Sequence, residues 1–263
     1  MKMWSDEDWK RLLRYHAWSY EPTIEECASR AFNDVSRTLC YSIAVTKLEG
    51  MKKDDERRVE YEKLKKDFKA EVCGYIKTCI EDLKNEQDFD VWHEDTCGGI
   101  ANIATSKKYW SNENKCNLFG KAPKNGEEPL TFFAGQAQKW LNMTLKNMWV
   151  TGVLEIHIKR NIVNQLHVPV DDYIIEATKK VTTKKTNQEK PLKPRLKKPY
   201  NFTVIDERKR SWSRWDYKDY KLFQEYIFDH YNNNYGKDTY NSPIEWEEVA
   251  WAEVAKKRKE DEN

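Results

Sequence analysis

From Ile24 onward the apolar residues fall three and four apart: Ile24, Cys27, Ala28, Ala31, Phe32, Val35, Leu39 and Ile43. That spacing gathers them on one face of a helix, whereas a strand would scatter them over two faces. Pro22 precedes the stripe and Gly50 is placed to end it. A second stripe over 55–84 collects Val59, Leu64, Phe68, Val72, Cys73, Ile76, Cys79, Ile80 and Leu83, with Lys and Glu crowding the opposite face. Two long amphipathic helices must bury their apolar faces, and the short connection near 50–55 predicts an antiparallel pair. A third stripe, Phe133, Ala137, Trp140, Leu141, Leu145, Met148 and Trp149, is broad and aromatic and predicts a central helix opening at Thr131.

The rest of the chain reads as shorter helices. Ser5 followed by acids predicts a helix start, with Trp9, Leu12, Leu13 and His16 after it. Pro169 suits a first helical turn ahead of Tyr173, Ile174, Ile175 and Ala177. Tyr220, Phe223, Ile227 and Phe228 mark another helix, and Ser242-Pro-Ile-Glu245 has the cap, the proline and the glutamate of a helix start. Residues 86–130 are less regular, with Gly98-Gly99 and 122–126 as turn signals, and 200–205 predicts a short strand. The expected class is all-α: one compact multi-helix domain or two packed lobes, 1–130 and 131–263, with a basic loop at 179–210. Only 39% of residues are hydrophobic, but 11 Trp, 14 Tyr and 9 Phe exclude a disordered chain and supply core material. Nine glycines are too few for a turn-rich sandwich or barrel.

The formal net charge of +2 hides an uneven distribution. Between 179 and 210 there are twelve Lys/Arg against three Asp/Glu. Such a segment suits phosphate neutralisation, through Lys184, Lys185, Lys193, Arg195, Lys197 and Lys198, while Trp212 and Trp215 follow it as candidates for stacking on bases. A solvated linker has the same composition. None of the six cysteines forms a Cys-x-x-Cys pair, so no zinc ribbon is expected; His93 and Cys97 lie four apart but lack a companion pair and read as structural. No leader or membrane span is expected, which points to reduced thiols and a cytoplasmic location.

Chemistry narrows to two residues. Lys139 falls early in the central helix and Asp171 at the start of a later one. A lysine held among apolar and aromatic groups loses proton affinity, and its neutral amine attacks carbonyl carbons to give Schiff bases. A nearby carboxylate activates such an amine or stabilises positive charge on a sugar ring. The run Gly135-Gln-Ala-Gln-Lys139 resembles the Gly-x-Gly-x-Lys end of the hairpin in the helix-hairpin-helix DNA glycosylase superfamily, with Ala137 at the second glycine. Leu166-His-Val-Pro-Val-Asp171 is similar to the segment that ends in that superfamily's essential aspartate. The resemblance covers about 40 residues and implies an all-helical protein that excises damaged bases. It makes Lys139 the nucleophile, Asp171 the activating carboxylate and Gly135 the point where backbone amides approach a phosphate. The partner implied is nucleic acid, DNA ahead of RNA, with no cofactor and no metal.

Two other readings stand beside it. Gly135 also serves close helix packing, Lys139 also reads as a surface lysine and Asp171 as a helix cap, which together describe a non-enzymatic helical binding protein. Arg11 to His16, and Arg160 to His167, resemble the Arg–His spacing of HEPN-type ribonucleases of defence systems, in which such a pair binds phosphate and moves a proton.

Overall fold

A computed structural model describes residues 20–36, 38, 56–83, 87–111, 116–117, 132–158, 162–179, 211–234 and 239–261. The expected first helix with His16, the end of the first stripe and Gly50, the strand at 200–205, Arg11, Arg160 and the basic residues Lys184, Lys185, Lys193, Arg195, Lys197 and Lys198 lie outside the described residues. Among the described residues the architecture is all-α. Eight α-helices are joined by 3-10 turns and one two-residue β-ladder, Trp110↔Asn117 and Ser111↔Cys116. None of these helices is long and apolar enough to cross a membrane.

The chain forms two compact units, Met1–Ile162 and Val163–Asn263. This boundary differs from the one expected at 130/131. The central helix packs on the first long helix, which places it in the first unit.

In that unit, α1 (Ile24–Ser36) and α2 (Glu56–Glu81) carry the two predicted stripes, except that Val59 is 56% exposed. Thr23 starts α1 with a reciprocal pair of bonds: the Glu26 amide donates to Thr23 Oγ1 and the Thr23 amide donates to the Glu26 carboxylate. The next helix, α3 (Phe89–Ala104), was not expected. Asp88 caps it by accepting from the amides of Asp90 and Val91 at 2.8 and 3.2 Å. The helix runs through Gly98 and Gly99, which had read as a turn. Gly99 is required for packing: a β-carbon there would lie 1.9 Å from the Tyr75 hydroxyl and 2.2 Å from its ring. At Gly74 and Gly98 a β-carbon would meet nothing within 4 Å.

These three glycines therefore have opposite substitution effects. Gly74→Ala and Gly98→Ala are expected to stabilise the first unit by about 0.5–1 kcal/mol each, since only backbone entropy changes. Gly99→Ala is expected to destabilise it by about 1–3 kcal/mol, because the Tyr75 ring must move. Urea melts of the three variants, followed by helical circular dichroism, test this; a stabilised Gly99→Ala would refute the close approach.

Helix α4 (Ala134–Val150) is the third predicted stripe. Gln136 reaches back to accept from the Phe133 amide at 3.1 Å. At the far end Gly152 takes a positive φ of 73°. Its amide donates to Trp149 O and that of Val153 to Met148 O, the paired bonds of a Schellman ending. A short α5 (Leu154–His157) follows. Trp140 is the pivot of the core. Its ring lies 4.9 Å from Phe32 and 5.7 Å from Phe68, and its indole N–H donates to Ala28 O at 2.8 Å.

The second unit contains α6 (Asp172–Lys179), α7 (Tyr217–Asn234) and α8 (Pro243–Asp261). Its core joins Val168, Val170, Ile174, Tyr220, Phe223, Ile227 and Trp246. The Glu245 amide donates to Ser242 Oγ at 3.4 Å, and Glu245 accepts from the Asn241 amide at 2.8 Å. The predicted start of α8 is thus present, with the glutamate reaching one residue further back. The extended stretch at 166–170 is tied to α7 by Gln224, whose side-chain amide accepts from Val168 N at 3.0 Å and donates to Val168 O at 2.7 Å. Both backbone groups of Val168 are satisfied as a neighbouring strand would satisfy them.

Candidate functional site

The first turns of α4 violate amphipathicity. Gly135, Gln136, Ala137, Gln138, Lys139, Trp140, Leu141 and Asn142 are all buried, so polar side chains sit at core positions. Buried polar groups need partners, and a chain of bonds supplies them. Gln138 Nε2 donates to Gly135 O at 2.8 Å. Asn142 Nδ2 donates to Gln138 Oε1 at 3.0 Å. His93 Nε2 faces Asn142 Oδ1 at 2.8 Å, and Cys97 Sγ lies 3.7 Å from His93 Nδ1. A backbone carbonyl only accepts, so the Gly135 end fixes the direction. It orients Gln138, which orients Asn142, which makes His93 Nε2 a donor. Burial pushes the Cys97 thiol well above its ordinary range, so S–H is the donor toward Nδ1.

Cys97, His93 and Asn142 stand in the order of a thiol-nucleophile triad. Burial removes that chemistry, because it holds the Cys97 thiol in its protonated, non-nucleophilic form. Cys27 and Cys73 are likewise pushed up to about 12 by burial. The network is structural: it joins α3 to α4 and fixes the helix segment that carries Lys139.

Lys139 itself is 5% exposed, one residue from Gln138 and three from Asn142. It is not a surface lysine. Gly135 is the second residue of α4, inside the helix and buried, and its carbonyl holds Gln138. The expectation that its backbone amide approaches a phosphate does not fit this position.

Asp171 belongs to the second unit. It caps α6, with Oδ1 accepting from the amides of Tyr173 and Ile174 at 3.0 and 3.1 Å. The helix therefore begins after Asp171, and Pro169 lies before it in the extended stretch. Asp171 Oδ2 accepts from the Trp251 indole at 3.2 Å. Trp251 stacks on Tyr173 with centroids 4.8 Å apart, and the Arg258 guanidinium covers Tyr173 at 4.2 Å while pairing with Glu176 at 2.8 Å. Trp251 is 40% exposed. The seven-residue spacing of Trp251 and Arg258 places both on one face of α8, a signal obscured by the mixed charges around it.

Trp212 and Trp215 correct a second expectation. They are 7% and 3% exposed and lie in the core of the second unit, where Trp215 packs against Phe223 at 5.2 Å. Their indole rings supply apolar volume and are withdrawn from base stacking. His167, the candidate ribonuclease histidine, is buried with Nδ1 2.8 Å from the Tyr220 hydroxyl.

Comparison of the chain with protein-family models, with curated proteins and with solved structures found no match.

Proposed function

We propose that this protein binds nucleic acid and excises a base by glycosylase-like chemistry at Lys139. The observation that carries this reading is the burial of Lys139 on the helix whose Gly135–Lys139 run resembles the glycosylase pattern. A lysine is seldom buried, because its ammonium is costly to remove from water. In the proposed reaction the target base leaves the stack and its sugar approaches the Lys139 amine. Nζ bonds to the anomeric carbon as the bond to the base breaks. The base departs with that electron pair and takes one proton from Nζ; the bond from the anomeric carbon to the ring oxygen then breaks, the ring oxygen takes the second Nζ proton, and the opened sugar remains as a Schiff base that water hydrolyses.

The test is borohydride trapping with duplex DNA carrying damaged bases. A covalent adduct is expected for the wild type and none for Lys139→Gln, with circular dichroism confirming that the variant keeps its helices. Absence of an adduct across deaminated, oxidised and alkylated bases would sink the chemistry.

A second reading is a non-enzymatic helical binding protein. It is favoured by the occupation of Asp171, whose carboxylate oxygens serve the α6 cap and the Trp251 indole, and by the interior position of Gly135. It is the reading left standing when trapping fails and DNA still shifts the protein's melting temperature.

A further inference from the structure

Away from Lys139, the first unit has a cleft of about 830 Å³ between α2 and α3. Tyr75 and Cys79 line it from α2, Asp82 and Gln87 from the connection, and Trp92, Asp95 and Thr96 from α3. Positions 75, 79 and 82 share one helical face, as do 92, 95 and 96, so two facing stripes make the walls. Tyr75 to Asp82 spans about 10 Å at 1.5 Å per residue.

The cleft is acidic and partly aromatic. Among its described lining residues there is no lysine, arginine or histidine. Neither Asp82 nor Asp95 has an ion-pair partner among the described residues. The sequence around it is unbalanced in the same sense, with seven Asp/Glu and one Lys between residues 81 and 95. The walls are built and held. Trp92 donates its indole N–H to Cys79 O at 3.0 Å, and Thr96 donates to Trp92 O at 2.7 Å. Tyr75 is seated by its approach to Gly99. Burial, the Cys79 thiol and the Asp95 charge push the Tyr75 phenol above its ordinary range, so it remains a protonated wall group.

We propose that this cleft binds a small organic cation of the diamine or polyamine class, with ammonium groups taken by Asp82 and Asp95 and the alkyl chain lying against Tyr75, Cys79 and Trp92. An anion is opposed by both carboxylates. A wholly apolar ligand would leave them desolvated and unmatched. A metal ion would make no use of the indole and phenol walls. A flexible cation with ammonium groups on an alkyl chain matches the charge and the walls together.

Titration calorimetry of the full chain with spermidine tests this. One saturable site is expected for the wild type. Asp82→Asn and Asp95→Asn are each expected to weaken it about tenfold. Both positions are exposed, so the variants are expected to keep the wild-type circular dichroism. Glu94→Gln, beside Asp95 in sequence but outside the lining, is the control and is expected to bind as the wild type. Absence of saturable binding overturns the proposal. So does a Glu94→Gln loss equal to that of Asp95→Asn, which would mean diffuse attraction to an acidic surface.

Discussion

Trp140→Ala is expected to destabilise the first unit by about 3–5 kcal/mol, the range for emptying a buried aromatic site. Trp140 is fully buried and lies against rings from two other helices, Phe32 of α1 and Phe68 of α2. Its removal takes away the shared wall of three helices as well as the bond to Ala28 O. The neighbours cannot close over the gap, because Phe68 is already packed edge-on against Tyr109 and Phe132 at 5.2 and 6.3 Å. Trp140→Phe keeps most of the volume and is expected to cost less than half as much. Urea unfolding followed at a helical wavelength gives both values. Because the chain has two compact units, the transition assigned to the first is the one to compare. A loss below about 1 kcal/mol for the alanine variant would contradict this account of the core.

The second large effect is on pH. His230 is 7% exposed, with Tyr226 and Trp246 rings 6.0 and 5.5 Å away. Burial lowers its pKa from 6.5 to about 4, since the charged imidazolium is disfavoured away from water. Below 6.5 the unfolded chain takes up a proton that the folded chain refuses, so stability falls as pH drops and the loss is complete near pH 4. At 1.36 kcal/mol per pKa unit, the depression amounts to about 3 kcal/mol. The contribution is fully present above pH 6.5. His230→Phe keeps a ring in the site and does not titrate. Denaturation of the second unit between pH 7 and pH 4 is expected to show the variant gaining on the wild type by about that amount. Parallel curves would show that His230 is not the group responsible.

Much of the fold was legible because helix signals are local. The stripes of α1, α2 and α4 repeat within a few residues, and the end of α2 falls three residues from its expected place. The start of α8 was readable because Ser242, Pro243 and Glu245 act on backbone groups beside them. Helix α3 was missed for the reverse reason. Gly98 and Gly99 look like punctuation until Tyr75, from another helix, needs the room that Gly99 leaves.

The candidate site was legible only as residue types. The sequence could place Lys139 on a helix and Asp171 at a helix start. It could not show that Lys139 is interior, because glutamine and asparagine at positions 136, 138 and 142 make that face of α4 look wet. Nor could it show that Trp212 and Trp215, beside the basic segment, turn into a core.

The sequence by itself determined the all-α class, the main helical stripes and the start of α8, since each depends on spacing and on neighbours within about one turn. Tertiary structure alone decided that Lys139 is buried, that His93, Asn142 and Gln138 form one directed chain, that Asp171 Oδ2 meets a tryptophan from α8, and that Tyr75 and Trp92 wall an acidic cleft. Burial and hydrogen-bond partnership across dozens of residues depend on which helices pack together, and periodicity along a single helix carries no information about that choice.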